Sequence, residues 1–166
     1  MKKIVLAAAM TSAVFAVPAA AAPGDTASAN GTANARIVAP IAITHDSGSA
    51  LDFGTMTAGT GGTVVVTPAG AGSKTGDVIL IAGSTNAADS FTVTGEANRG
   101  FAIVVTGGSV TSGTNSMTFT TSLASNSGNL GAGGSTQFSV GGTLTVGSGQ
   151  AAGSYTGSYG ATVTYN

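Results

Sequence analysis

The sequence contains no cysteine, no tryptophan and a single histidine, and only 7% of its residues are charged. Without cysteine there is no disulfide framework, no thiolate zinc site and no cysteine nucleophile. Five Lys and Arg residues among 166 are too few to neutralise a nucleic-acid backbone, so no nucleic-acid partner is expected. Asp77, Asp89 and Glu96 stand singly, without the Asp-x-Asp spacing of a calcium loop, so no metal or other cofactor is expected. No pair of carboxylates with flanking aromatics suggests a hydrolytic cleft, and the chain does not read as an enzyme. His45-Asp46-Ser47 has the residue types of a catalytic triad. Neighbours in an extended segment point to opposite faces, however, so the segment reads as a solvated turn after Ile43-Thr44. Asp52, in Leu51-Asp52-Phe53-Gly54, reads either as a sheet-edge carboxylate bonded to a turn or as part of a calcium site.

The chain opens on Lys2-Lys3, a short apolar stretch from Ile4 to Val17, Pro18 and a run of alanines. This is the pattern of a secretory signal peptide, too short to serve with certainty as a membrane span. Small residues at Ala19 and Ala21 place cleavage after Ala21, with Ala20 and Ala22 as neighbouring alternatives. The mature chain then carries Arg36, Lys74 and Arg99 against five aspartates and Glu96, a net charge of −3 with His45 neutral. No transmembrane anchor is expected in it, and no basic patch for lipid. The protein is expected to pass through the periplasm to the cell surface or the medium.

What the sequence does have is 27 glycines and 42% apolar residues. No window shows helical periodicity. Short segments alternate with period two or are rich in β-branched residues. They are Ala35–Thr44, Ala50–Met56, Gly62–Thr67, Asp77–Ile81, Ser90–Thr94, Phe101–Thr106, Met117–Thr121, Thr136–Val140, Leu144–Val146 and Tyr155–Tyr165. Glycine clusters such as Gly59-Thr60-Gly61-Gly62 and Gly147-Ser148-Gly149 separate them and supply turn conformations. Alternation puts Phe91 with Val93, Met117 with Phe119, and Leu144 with Val146 on inward faces, and Thr and Ser outside. The continuous run Val78-Ile79-Leu80-Ile81 reads as a strand buried on both faces or crossing the centre. So many short strands in one domain predict an all-β sandwich or barrel.

Between signal peptide and sandwich lies an extension, residues 22–34. It reads as a flexible linker by composition. It also reads as a docking strand, because Ala27, Ala29, Gly31, Ala33 and Ala35 alternate with Ser28, Asn30, Thr32 and Asn34 and form one small-residue face. The predicted organisation is thus a signal peptide over 1–21, the extension over 22–34 and a β-sandwich over 35–166.

The final segment, Gly153-Ser154-Tyr155 through the alternating strand to Tyr165-Asn166, resembles the last strand of chaperone–usher pilin subunits. Those subunits carry a penultimate Tyr, here Tyr165, and a Gly fourteen places from the end, here Gly153. Gln137–Leu144 with Gly153-Ser154-Tyr155 is also similar to spore-coat-protein-U-like secreted domains. Ala35–Ile41, Leu51-Asp52-Phe53-Gly54, Phe91–Gly95 and the last strand together resemble an uncharacterised family of secreted domains of Gram-negative bacteria. The chain lacks the intrachain disulfide that many pilins carry.

The resemblance implies an immunoglobulin-like sandwich missing one strand, completed by strand addition from a neighbouring subunit. It implies a homo-oligomer or filament that supports adhesion, with a periplasmic chaperone and an outer-membrane usher as partners. Candidate strand-exchange residues are Ala27, Ala29, Gly31, Ala33, Ala35, Gly153, Tyr155 and Tyr165. The other reading is a monomeric adhesin or carbohydrate-binding module. Its candidate sugar platform is Tyr155 with Tyr159, although the sheet's core or groove face accounts for the same pair.

The secreted protein is expected to begin at Ala22. Intact-mass measurement checks this, and a chain that still begins at Met1 would refute it.

Overall fold

The computed structural model describes Gly24 and residues 26–166; the predicted signal peptide lies outside them. The chain divides into two units, 1–36 and 37–166. In the first, residues 26–36 are exposed and form no strand. The second is all-β: among the described residues there is no helix.

Its strands are β1 (Ala42–His45), β2 (Met56–Thr57), β3 (Gly62–Val66), β4 (Gly72–Gly76), β5 (Ile79–Leu80), β6 (Asp89–Thr94), β7 (Gly100–Val105), β8 (Gly108–Ser112), β9 (Asn115–Leu123), β10 (Ser127–Asn129), β11 (Ser135–Val146), β12 (Thr156–Ser158) and β13 (Ala161–Tyr165). The largest sheet runs β1-β6-β11-β9-β8-β12, with the β3–β4 hairpin also attached to β11. A second sheet runs β10-β7-β13, and β2 pairs with β5 in a small third one. All pairings are antiparallel.

β11 organises the large sheet. Val140 pairs with Asp89 of β6 and with Leu123 of β9, so those strands lie on opposite edges. Thr143 and Leu144 pair with both β9 and β3. β6 and β3 therefore follow one another along the same edge of β11. The changeover falls at Gly141-Gly142. A Cβ on Gly141 would collide with the Val66 carbonyl, and one on Gly142 would stand 2.6 Å from the Thr120 carbonyl. Glycine is required here by space rather than by backbone conformation.

Two apolar clusters form the interior. One gathers Phe53, Val64, Val66, Val78, Met117, Phe119, Leu144 and Val146. The other is built on Val93, Phe101, Ile103 and Leu130, with Ile41, Ile43, Phe138, Val163 and Tyr165 packed against it. The inward faces predicted by alternation at Met117/Phe119 and Leu144/Val146 are buried. Each such side chain contributes about 1.5–3 kcal/mol on leaving water.

The strand boundaries differ from the sequence expectation in instructive ways. Thr136–Val140 and Leu144–Val146 are one strand, because Gly141-Gly142 continues the ladder instead of turning it. Tyr155–Tyr165 is two strands in different sheets. The first strand begins only at Ala42, after Pro40, which has no N–H to give to a ladder. Val78–Ile81 is not buried on both faces: Val78 is fully buried, but Ile79 is 57% exposed and Ile81 44%. The segment lies in the small peripheral sheet, where alternation still sorts its residues.

Gly141→Ala is expected to destabilise the domain by about 1–3 kcal/mol through overpacking. Gly131→Ala, whose added Cβ meets nothing within 4 Å, is the matched control and should cost far less. Urea unfolding of the two variants checks the difference.

Candidate functional site

Asp89 opens β6 and is the one buried charged residue among the described residues. Its Oδ1 accepts from the Ser90 N–H at 2.8 Å and the Ser49 hydroxyl at 2.7 Å, and lies 2.7 Å from His45 Nε2. Its Oδ2 accepts the Tyr159 hydroxyl at 2.7 Å. Burial pushes the Asp89 carboxyl up, but these donors outweigh it and hold it below the ordinary carboxylate range. Burial, reinforced by the carboxylate beside it, raises the Tyr159 hydroxyl well above its usual value. That phenol therefore stays protonated and remains a donor.

The geometry of this cluster differs from that of a nucleophilic relay. Ser49 Oγ stands 3.3 Å from the same His45 nitrogen that meets Asp89, and its acceptors are the carboxylate at 2.7 Å and the Asp46 carbonyl at 2.9 Å. In a nucleophilic relay the serine would give its proton to one ring nitrogen while the carboxylate held the other. His45-Asp46-Ser47 is likewise no relay. Ser47 is exposed, and Asp46 accepts from the Ser90 and Thr92 hydroxyls at 2.6 Å each and from Gln137 Nε2 at 3.0 Å. These bonds, that from Ser90 first, lower the Asp46 carboxyl. Asp52 Oδ1 accepts the Gly54 N–H at 2.7 Å, the turn-bonded role read from the sequence.

Above Asp89 opens a groove of about 520 Å³. Its apolar lining includes Leu51, Phe91, Val110, Phe119 and Tyr159, and the Ala50–Phe53 segment and β12 both line it. The Tyr159 ring meets Phe91 and Phe119 edge-on, each with centroids 6.1 Å apart.

Tyr159 leads into β13, which among the described residues pairs with β7 alone. Hydrogen bonds from Thr106 N–H to Gly160 O (2.9 Å) and from Asn166 N–H to Gly100 O (3.2 Å) frame that pairing. In an antiparallel ladder bonded pairs alternate with non-bonded ones. Ala161, Val163 and Tyr165 thus fall at non-bonded positions and turn their N–H and C=O groups to the outer edge. Ile103, opposite Val163, directs its own N–H to Asn126 O on the far side of β7, as this alternation requires.

The residues singled out from sequence are dispersed. Ala27, Ala29, Gly31, Ala33 and Ala35 are exposed and lie in no strand. Gly153 packs beside Ser112, where an added Cβ would stand 2.6 Å from its hydroxyl. Tyr155 accepts from Gln150 Nε2 at 2.9 Å, donates to Ala151 O at 2.8 Å, and packs on the first cluster. Tyr165 belongs to the second cluster instead. Its hydroxyl accepts the Glu96 N–H at 2.6 Å and donates to Ala39 O at 2.9 Å, and the Arg99 guanidinium stands 5.3 Å from its ring centroid. Sequence reading missed the Asp89 hub. The signal was present: period two places Asp89 on the same face as Phe91 and Val93.

A family model described as a domain of unknown function, DUF4402, matches residues 41–165. The chain belongs to this family. The DUF4402 match takes in the Asp89 hub, the groove and β13, while the extension and Ile37 precede it. No curated protein matches the chain, and no solved structure does.

Removing one donor should expose the cost of the buried carboxylate. Tyr159→Phe is expected to lose about 1.5–3 kcal/mol at pH 7, measured by urea unfolding. The carboxyl titrates below its ordinary value of 3.8 in the folded chain, so the unfolded chain takes up the proton first. The stabilisation is complete above that value and disappears as pH falls through the folded one. Asp89→Asn should therefore be less stable at pH 7 and show a shallower loss of stability below about pH 4 than the parent, with Asp46 supplying the remaining slope.

Proposed function

We propose that this protein is an exported structural subunit that assembles by β-strand addition into a filament or coat on the cell surface. It acts by association, not by catalysis. Its sandwich is read as immunoglobulin-like and short of one strand, as in the pilins its last strand resembles.

The observation that supports this reading most is the outer edge of β13. Exposed edges are normally blunted by charge, proline, a bulge or extreme shortness. β4, an outer strand of the large sheet, carries Lys74 at its middle. β12 and β10 are three residues each. β13 is Ala-Thr-Val-Thr-Tyr, five residues with no charge and no proline, and three of them turn their backbone groups outward. Such an edge is a template for another strand. The extension supplies an uncharged segment whose alternate residues are Ala or Gly, suited to a shallow site where the backbone provides most of the bonds. During transit a periplasmic chaperone would cover the same edge until an usher exchanged it for the next subunit.

Assembly of the chain beginning at Ala22 can be followed by sedimentation and electron microscopy. Gly31→Asp places a charge on the buried face of the donated strand, where an unpaired charge costs several kcal/mol. It should abolish assembly, whereas Asn30→Asp, on the opposite face, should assemble nearly as the parent does. A chain lacking residues 22–34 should fold and stay monomeric. If it assembles as well as the parent, the extension is a linker and the reading fails.

A further inference from the structure

Ile37 is 97% exposed, the most exposed large apolar side chain among the described residues. It continues the alternation of the extension, falling two residues after Ala35. It cannot reach the apolar groove of its own domain. Ala39 is held beside Tyr165, at the last residue of β13, by the tyrosine hydroxyl and by the Glu96 carboxylate, which accepts its N–H at 3.1 Å. The groove lies at the other end of both strands: it is lined by His45, the last residue of β1, and by Tyr159, which precedes the first residue of β13. His45 lies six positions beyond Ala39, on the order of 20 Å of extended chain. The molecule thus carries an apolar knob at one end and an apolar hollow at the other.

We infer that Ile37 of one copy seats in the groove between β12 and the Ala50–Phe53 segment of the next, fixing the register of the donated strand. The inference rests on the strand-addition reading and specifies its partner surface. With Ile37 level with Tyr159, antiparallel pairing along β13 sets Ala35 opposite Ala161, Ala33 opposite Val163 and Gly31 opposite Tyr165. Each acceptor residue in this register is one that turns its N–H and C=O to the free edge. The bulkiest of them faces the one donor residue without a side chain. A knob and a hollow on different surfaces make a head-to-tail contact, and where the repeat does not close on itself it propagates as a fibre.

The chain has no cysteine, so engineered pairs report without background. In the chain beginning at Ala22, Ala33→Cys with Val163→Cys should give a ladder of disulfide-linked multimers on oxidation. Ala33→Cys with Thr164→Cys, whose second position faces solvent, should give almost none. Ile37→Asp should raise the concentration needed for assembly roughly tenfold or more. Its far-UV circular dichroism and unfolding midpoint should match the parent, because the side chain touches little in the monomer. If the parent assembles and Ile37→Asp assembles at the same concentration, or the Ala33/Val163 pair does not cross-link within the assembled material, this inference is overturned and strand addition stands. If the parent remains monomeric at every concentration, strand addition itself fails and the register falls with it.

Discussion

Everything in the large sheet is registered on β11. Its first half is bordered by β6 and its second by β3, while β9 occupies the opposite edge across the middle. Two neighbouring strands can abut end to end along one edge only if the backbone at the junction admits close approach from both sides, and Gly141-Gly142 meets that need. The constraint is steric and local, but its reach is global. β1 hangs from β6, β4 from β3, and β8 with β12 from β9, so the placement of every outer strand is inherited from this one junction.

A second constraint adds to the ladders and ties the Ser49 turn and the entrance to β13 to the β1–β6 pair. The Asp89 carboxylate draws donors from β1, from the Ser49 turn, from its own strand and from Tyr159 at the entrance to β13. In a chain without cysteine, this is the work a disulfide commonly does. A buried carboxylate is costly unless its lone pairs are filled, and here four donors converge on it. The same arrangement explains why a histidine, a serine and an aspartate can meet without forming a relay: the serine and the same ring nitrogen of the histidine both meet one carboxylate oxygen.

Much of the interior was legible from period-two alternation, because Met117, Phe119, Leu144 and Val146 must face inward if their threonine neighbours face water. β4, β8 and β10 were not legible. Gly72–Gly76 and Ser127–Asn129 contain no apolar residue, and Gly108–Ser112 has only Val110; neighbouring backbones recruit these segments, not the burial of their side chains. Gly141-Gly142 falls between two separate segments when read from the sequence, and only the carbonyls of Val66 and Thr120, remote in sequence, show that the pair serves close packing. Asp89 lay on the correct face of its strand, but a lone carboxylate gives no sign of donors that arrive from residues 45, 49 and 159. The five small residues of the extension were legible as a pattern. The edge proposed to receive them appears only once β13 is placed against β7.

The pairing pattern also bears on how the chain reaches this state. Among the described residues only β3–β4 and β8–β9 are hairpins between adjacent segments. β1 finds β6 about fifty residues away, β7 finds β13 at a similar remove, and β3 finds β11 beyond both. Long loops must close before these contacts return any stabilisation, so folding is slow for a domain of this size. The two hairpins are the units able to form early. The edges best suited to capture another strand therefore stay bare through most of the search, and the route to the folded domain runs in competition with self-association.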